Sequence, residues 1–130
     1  MNLNTAILGL GSNIEPEKNI PWARKLISEK FKILNESKFI QTKPIGITDQ
    51  PDFTNGAILI HTELECAQLR SKLKEIESNM GRVQSAIKNH GPRNIDIDLL
   101  VWNDSVVDKD FYDRSFVRDF VLELSPEVKY

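Results

Sequence analysis

The residues best suited to chemistry are two acids near the C-terminal third, in Asn94-Ile95-Asp96-Ile97-Asp98-Leu99. On a strand, side chains alternate, so Ile95, Ile97, Leu99 and Val101 share one face while Asp96 and Asp98 share the other. Their Cα atoms would stand about 6.5–7 Å apart. Two carboxylates on one face of an apolar strand repel each other and resist desolvation unless a cation lies between them. Such hard oxygen donors suit Mg²⁺, which takes one or two carboxylates and fills its shell with water and phosphate oxygens. Alone, the pattern reads more simply as two solvated acids on an open strand. The neighbourhood shifts that balance: Arg82 and Arg93 bracket the segment before the acids, and Lys88 and His90 lie within it. Flexible cations facing a metal-binding acid pair are the requirement of phosphoryl transfer, where catalysis is mainly positioning and charge neutralisation. No G-x-x-x-x-G-K-[ST] motif occurs, and Gly9-Leu10-Gly11 is half a dinucleotide fingerprint that reads as a tight turn.

A second group is Asp49-Gln50-Pro51-Asp52-Phe53-Thr54-Asn55. Phe53, with Asn55 two residues on along the same face, could stack on a flat heterocycle while the amide reads its edge. An aromatic closing a sheet edge beside an Asn in a turn fits these residues equally well.

The elements that would position both groups follow from periodicity. Thr5–Leu10 is a buried strand closed by Gly11-Ser12-Asn13. Trp22, Leu26, Ile27 and Phe31 recur at helical period from about Asn19 to Phe31. Lys32–Thr42 and Phe53–His61 read as strands separated by a Pro- and Gly-rich loop. Thr62 and Glu65 form a capping box for a second helix, on which Cys66, Leu69, Leu73, Ile76 and Met80 make a core-facing stripe, with Gly81 at its C-terminal cap. Residues 81–93 read as an exposed, mobile connection, and Asn94–Trp102 as the last strand. The tail from Ser105 reads as a mostly polar segment carrying Phe116, Val117, Phe120, Val121 and Leu122. The order β-α-β-β-α-β predicts an α+β, ferredoxin-like sandwich with a mainly antiparallel sheet.

Composition narrows the partners. The chain has 130 residues, 40% hydrophobic and 28% charged, with a net charge of -2; this describes one globular domain and argues against a basic nucleic-acid module. The lone Cys66 excludes a disulfide framework and a cysteine zinc site. Met1-Asn2-Leu3-Asn4 lacks a basic leader, and no run reaches the roughly 18 apolar residues of a membrane span. The expectation is a cytoplasmic monomer without nucleic-acid or membrane partners.

Taken together, Gly11-Ser12-Asn13, Asp49-Gln50-Pro51-Asp52-Phe53 with Asn55, Gly81-Arg82, and Gly91-Pro92-Arg93-Asn94-Ile95-Asp96-Ile97-Asp98-Leu99-Leu100 resemble the 6-hydroxymethyl-7,8-dihydropterin pyrophosphokinases of folate synthesis, in order and spacing. The resemblance runs from about Asn4 to Val128 and fades after Trp102. It implies transfer of pyrophosphate from ATP to the pterin's hydroxymethyl oxygen, with AMP released, in a single domain with a shortened C-terminal tail. Asp96 and Asp98 would hold two Mg²⁺ ions, while Arg82 and Arg93 would close on the triphosphate. Glu77, Leu99, Tyr112 and Arg118 would complete the ATP side. Phe53 and Phe120 would sandwich the pterin, with Asn55, Thr42 and the backbone around Ile45 finishing the slot.

The chain also departs from that pattern. Gln84 stands where many members carry Arg, and His90 where Trp can occur. The connection from Gly81 is one residue longer. The tail reads Asp110-Phe111-Tyr112 where members have Pro-His, and it ends soon after Pro126. Weaker ATP binding is one consequence. Two other readings are a non-catalytic pterin- or nucleotide-binding relative with a regulatory role, and a plain interaction domain.

Overall fold

A computed structural model describes residues 3–81 and 93–130; Arg82, Gln84, Lys88, His90, Gly91 and Pro92 lie outside the described residues. The apolar run of the first strand becomes the centre of an antiparallel sheet. β1 (Asn4–Ser12) pairs on one side with β4 (Phe53–Thr62) and on the other with β5 (Asp96–Trp102). Helices cover both faces of this central strand, so Ala6, Leu8 and Leu10 are buried on one side and Ile7 on the other. The order across the sheet is β2-β4-β1-β5-β6, with β3 also on β4, and every strand pair is antiparallel. This is the ferredoxin-like α+β arrangement expected from the sequence.

One face of the sheet, carrying Leu8, Leu10, Ile58, Ile60, Ile95, Ile97 and Leu99, packs under α1 (Pro16–Lys30) and α2 (Cys66–Asn79). α1 begins three residues before the expected Asn19 because Pro16 occupies its first turn, where the missing N–H costs no hydrogen bond. The capping box of α2 is Glu65 with Gln68 rather than Thr62 with Glu65. Thr62 is the last residue of β4 and uses its hydroxyl to accept the Leu64 N–H. Cys66 is half-buried at the helix start, packed against the core rather than within it. Gly81 does follow the helix with φ +77°, as a C-terminal glycine should.

The expected strand over 32–42 is two strands, β2 (Lys32–Glu36) and β3 (Ile40–Thr42). Buried Ser37 interrupts the ladder: its N–H donates to the Ala57 carbonyl at 2.9 Å, and its hydroxyl accepts the Ala57 N–H at 2.8 Å.

The second face owes its cover to the tail. After β6 (Ser105–Val106) come α3 (Asp110–Asp113) and α4 (Ser115–Leu124). The segment expected to be mostly polar is therefore an amphipathic helix: Val117, Phe120, Val121 and Leu124 recur at helical spacing and are buried. Each contributes about 1.5–3 kcal/mol of burial, against Ile7, Ala57, Leu100 and Val101. Val101 does not share a face with Ile95, Ile97 and Leu99 as strict alternation predicts. Ile7 pairs with Val101 and Leu8 with Leu99, so Leu100 is an extra residue in a β-bulge. Leu100 and Val101 both pack on the second face, and Trp102 returns to the first.

Candidate active site

α4 covers only part of the second face. Beside it opens a cleft of about 510 Å³. Its floor is backbone, because β1 presents Gly9 and Gly11 there. Gly11 stands in register with Asn55 of β4 on one side and Asp96 of β5 on the other, and Gly9 with Asp98. The acid pair and the Phe53–Asn55 group, 41 residues apart in sequence from Asn55 to Asp96, thus flank one strip of bare main chain.

On the β4 side, Asn55 donates through Nδ2 to the Thr42 hydroxyl at 2.5 Å, and Phe53 pairs with Thr42 in register. Thr42, Ile45, Phe53, Asn55 and Phe120 all line the cleft, so the five residues expected at a heterocycle slot come together. A Cβ built on Gly11 would stand 2.5 Å from Asn55 Oδ1; only glycine leaves the amide room.

On the β5 side the electrostatics are unbalanced. Burial first, and then the charges of Asp96, Asp108, Glu77 and Asp110, raise the Asp98 carboxyl from 3.8 to about 8. Carboxylate oxygens of Asp98, Asp108 and Asp110 lie within 4.8 Å of one another. Asp110 is also raised, chiefly by burial. Arg93 approaches Asp96, Nη1 to Oδ1, at 3.7 Å. An oxygen-only donor set of clustered acids, in which burial and its neighbours raise the Asp98 carboxyl, fits a hard divalent ion.

Glu77 is not an exposed helical glutamate. It is 5% exposed, lines the cleft, and accepts the Ile97 N–H through Oε2 at 2.7 Å. β6 pairs with Val101 and Trp102, and Glu77 supplies a partner further along β5, where among the described residues no strand does.

The other expectations divide. Leu99 points into the core under α1 and α2 rather than into the cleft. Tyr112 is 58% exposed with its ring edge on Phe111, and the Arg118 guanidinium lies over the Phe111 ring at 6.0 Å. Neither lines the cleft. In their place the structure brings Arg114 and Phe116, with Lys109, Asp110 and Lys74. Arg114 approaches Asp110 at 3.7 Å, and the Phe116 and Phe120 rings meet edge to face at 6.0 Å. Arg114 and Arg118, like Phe116 and Phe120, are one helical turn apart. Spacing alone identifies such a pair without telling which turn faces the cleft. Arg82 lies outside the described residues.

Comparison with known proteins agrees with this geometry. Residues 7–126 match the family described as 7,8-dihydro-6-hydroxymethylpterin-pyrophosphokinase. The chain is 31% identical over 135 residues to a 2-amino-4-hydroxy-6-hydroxymethyldihydropteridine pyrophosphokinase of Haemophilus influenzae, covering 95% of this chain and 83% of that protein. A protein of the same name from Campylobacter jejuni is 38% identical over 104 residues, covering 78% of this chain and 65% of the relative. The folic acid synthesis protein fol1 of Schizosaccharomyces pombe is 32% identical over 134 residues, which is 95% of this chain but 18% of that protein.

Proposed function

The chain belongs to the 7,8-dihydro-6-hydroxymethylpterin-pyrophosphokinase family, and from that premise we propose how its cleft transfers pyrophosphate from ATP to a hydroxymethyldihydropterin in folate synthesis. The observation that carries the proposal is the register of Gly11 with Asn55 on one neighbour and Asp96 on the other. A flat heterocycle held by Phe53, Asn55 and Thr42 then lies across bare backbone from the acids.

In this reading the pterin stacks between Phe53 and the Phe116–Phe120 pair, with its amide edge on Asn55 and the backbone around Ile45 closing the slot. Its hydroxymethyl oxygen attacks the β-phosphorus; the bond from that phosphorus to the α-phosphate oxygen breaks, and AMP leaves. Asp96 and Asp98 would hold two Mg²⁺ ions, which when bound screen the triphosphate and ease deprotonation of the attacking hydroxyl. Arg93 and Arg82 neutralise charge developing on the phosphates, and Arg114 adds a third cation on the tail side. Glu77 keeps β5, and so both acids, in place from the nucleotide side.

All of these groups come from one chain, so we take the working unit to be a single-domain monomer. The net charge of -2 offers no general polyanion surface, and we place the reaction in the cytoplasm, where ATP is supplied. Among the described residues no helix is long and apolar enough to cross a membrane.

The test is AMP release from purified protein given ATP, Mg²⁺ and 6-hydroxymethyl-7,8-dihydropterin. AMP formation that depends on both Mg²⁺ and pterin is expected. Pterin binding with no AMP above background would instead identify a non-catalytic relative.

A further inference from the structure

Asn13, immediately after β1, is 4% exposed and touches two separate parts of the chain. Its backbone N–H donates to the Arg93 carbonyl at 3.0 Å, and its Oδ1 accepts the Arg93 N–H at 2.8 Å. One residue therefore holds both polar groups of the Arg93 main chain. Its Nδ2 donates to Gln50 Oε1 at 2.8 Å and to the Pro51 carbonyl at 3.1 Å. Gln50 in turn donates to the Ile47 carbonyl at 2.7 Å, which ties the turn leading into Phe53 back on itself. Both amide hydrogens and the amide oxygen of Asn13 are thus engaged, a pattern no other residue of that size can reproduce. Aspartate lacks the donors, and serine is too short and has only one.

We propose that Asn13 is a positioning residue that fixes Arg93 and the 47–51 turn in one frame, so that the phosphate-side cation and the pterin-side aromatic keep a set distance. The proposal rests on the reading above, in which Arg93 faces phosphate and Phe53 faces the pterin. A buried network of this kind holds geometry only while every member is satisfied. Losing the Asn13 side chain would release both sides at once, whereas a turn held merely for stability would not link them.

Two variants separate the sides. Asn13→Ala removes the whole amide. Asn13→Asp is nearly isosteric and keeps an oxygen for the Arg93 N–H while losing both donors to the turn. The measurements are amide hydrogen exchange in the ligand-free protein over residues 46–52 and at Arg93, with KM for the dihydropterin and kcat at saturating Mg²⁺–ATP. Asn13→Ala should speed exchange in both segments, raise the pterin KM about fivefold and lower kcat about tenfold. Asn13→Asp should speed exchange over 46–52 with Arg93 still protected, raise the pterin KM, and lower kcat less than Asn13→Ala does. Should Asn13→Ala fail to fold, the Asn13→Asp pattern alone decides. Faster exchange at Arg93 without the turn, or in neither segment, overturns the proposal, as does an unchanged split between KM and kcat. Because exchange needs no turnover, a wild-type protein that made no AMP would count against the functional reading and leave the exchange result standing.

Discussion

The Glu77 carboxylate and the Ile97 amide are joined at 2.7 Å, so a side chain from α2 completes the edge of the strand that carries both acids. Glu77→Ala should leave that buried N–H without its acceptor, at a cost of about 1–3 kcal/mol, seen as a Tm lower by about 4–11 °C for a chain of this size. Glu77→Gln keeps an oxygen for Ile97 and should lose less than half as much. Equal losses in the two variants would show that charge, not the hydrogen bond, is what Glu77 contributes.

Asp98 gives a prediction in pH. Its folded carboxyl sits at about 8 against an ordinary 3.8, through burial first and neighbouring acids second. The folded state therefore holds a proton that the unfolded chain releases near pH 4. This group destabilises the metal-free fold increasingly as pH rises from about 4 to about 8. Asp98→Asn cannot ionise, so the metal-free variant should melt above wild type at pH 8.5 and level with it at pH 4. The same variant should show no rise in Tm on adding Mg²⁺ with ATP and should lose turnover. A metal-free variant that melts below wild type at pH 8.5 would contradict the assignment. For wild type, Mg²⁺ affinity should fall as pH drops below about 8, because proton and metal compete for one carboxylate.

Arg114 lines the cleft and Arg118 lies over Phe111, so two arginines one turn apart should behave differently. Arg114→Ala should reduce kcat/KM for ATP by about ten- to a hundredfold with little change in Tm. Arg118→Ala should lower Tm by a few degrees, roughly the loss of one half-buried cation–aromatic contact, and change kcat/KM less than threefold or so. Steady-state kinetics and melting curves on both variants test this, and the reverse ranking would return the ATP contact to the second turn.

Gly11→Ala should act on the pterin side alone. The new methyl would meet Asn55 Oδ1 at 2.5 Å, and the far end of that side chain can swing away from Thr42. A rise in pterin KM of about tenfold or more is expected, the size of losing a well-made hydrogen-bonded contact, with ATP KM near wild type. A matching rise in both KM values would mean the strand itself had shifted.

Much of the site was legible because alternation and motif spacing agree. β1, β4 and β5 each show apolar periodicity, and their pairing brings Asp96, Asp98, Phe53, Asn55 and Thr42 into one cleft. The tail was harder, since α3 has four residues and α4 only ten, too few turns for the spacing of Val117, Phe120, Val121 and Leu124 to stand out from a polar segment. With the helix start uncertain, Arg118 and Arg114 were equivalent by type. The α2 cap was ambiguous for a related reason: Thr62–Glu65 and Glu65–Gln68 are both valid pairs, and only the end of β4 at Thr62 selects the second. Nothing marked the bulge, because Leu100 and Val101 are both apolar and neither glycine nor proline is near.

That bulge works like a change of reading frame. Ahead of it, even-numbered residues of β5 lie on the cleft's face of the sheet; beyond it, odd-numbered Val101 lies on that face, buried in the apolar layer with α4. The shift sets two adjacent apolar side chains directly after the acids, and Leu100 and Val101 join Ile7 and Ala57 in the apolar layer under α4. Deleting Leu100 would restore plain alternation, with Asp96, Asp98 and Val101 still on the cleft's face of the sheet and Trp102 on the other, but would remove one of the two adjacent apolar side chains. The one extra residue thus adds a second apolar side chain beside the acids, on the face that the helix carrying Phe116 and Phe120 covers.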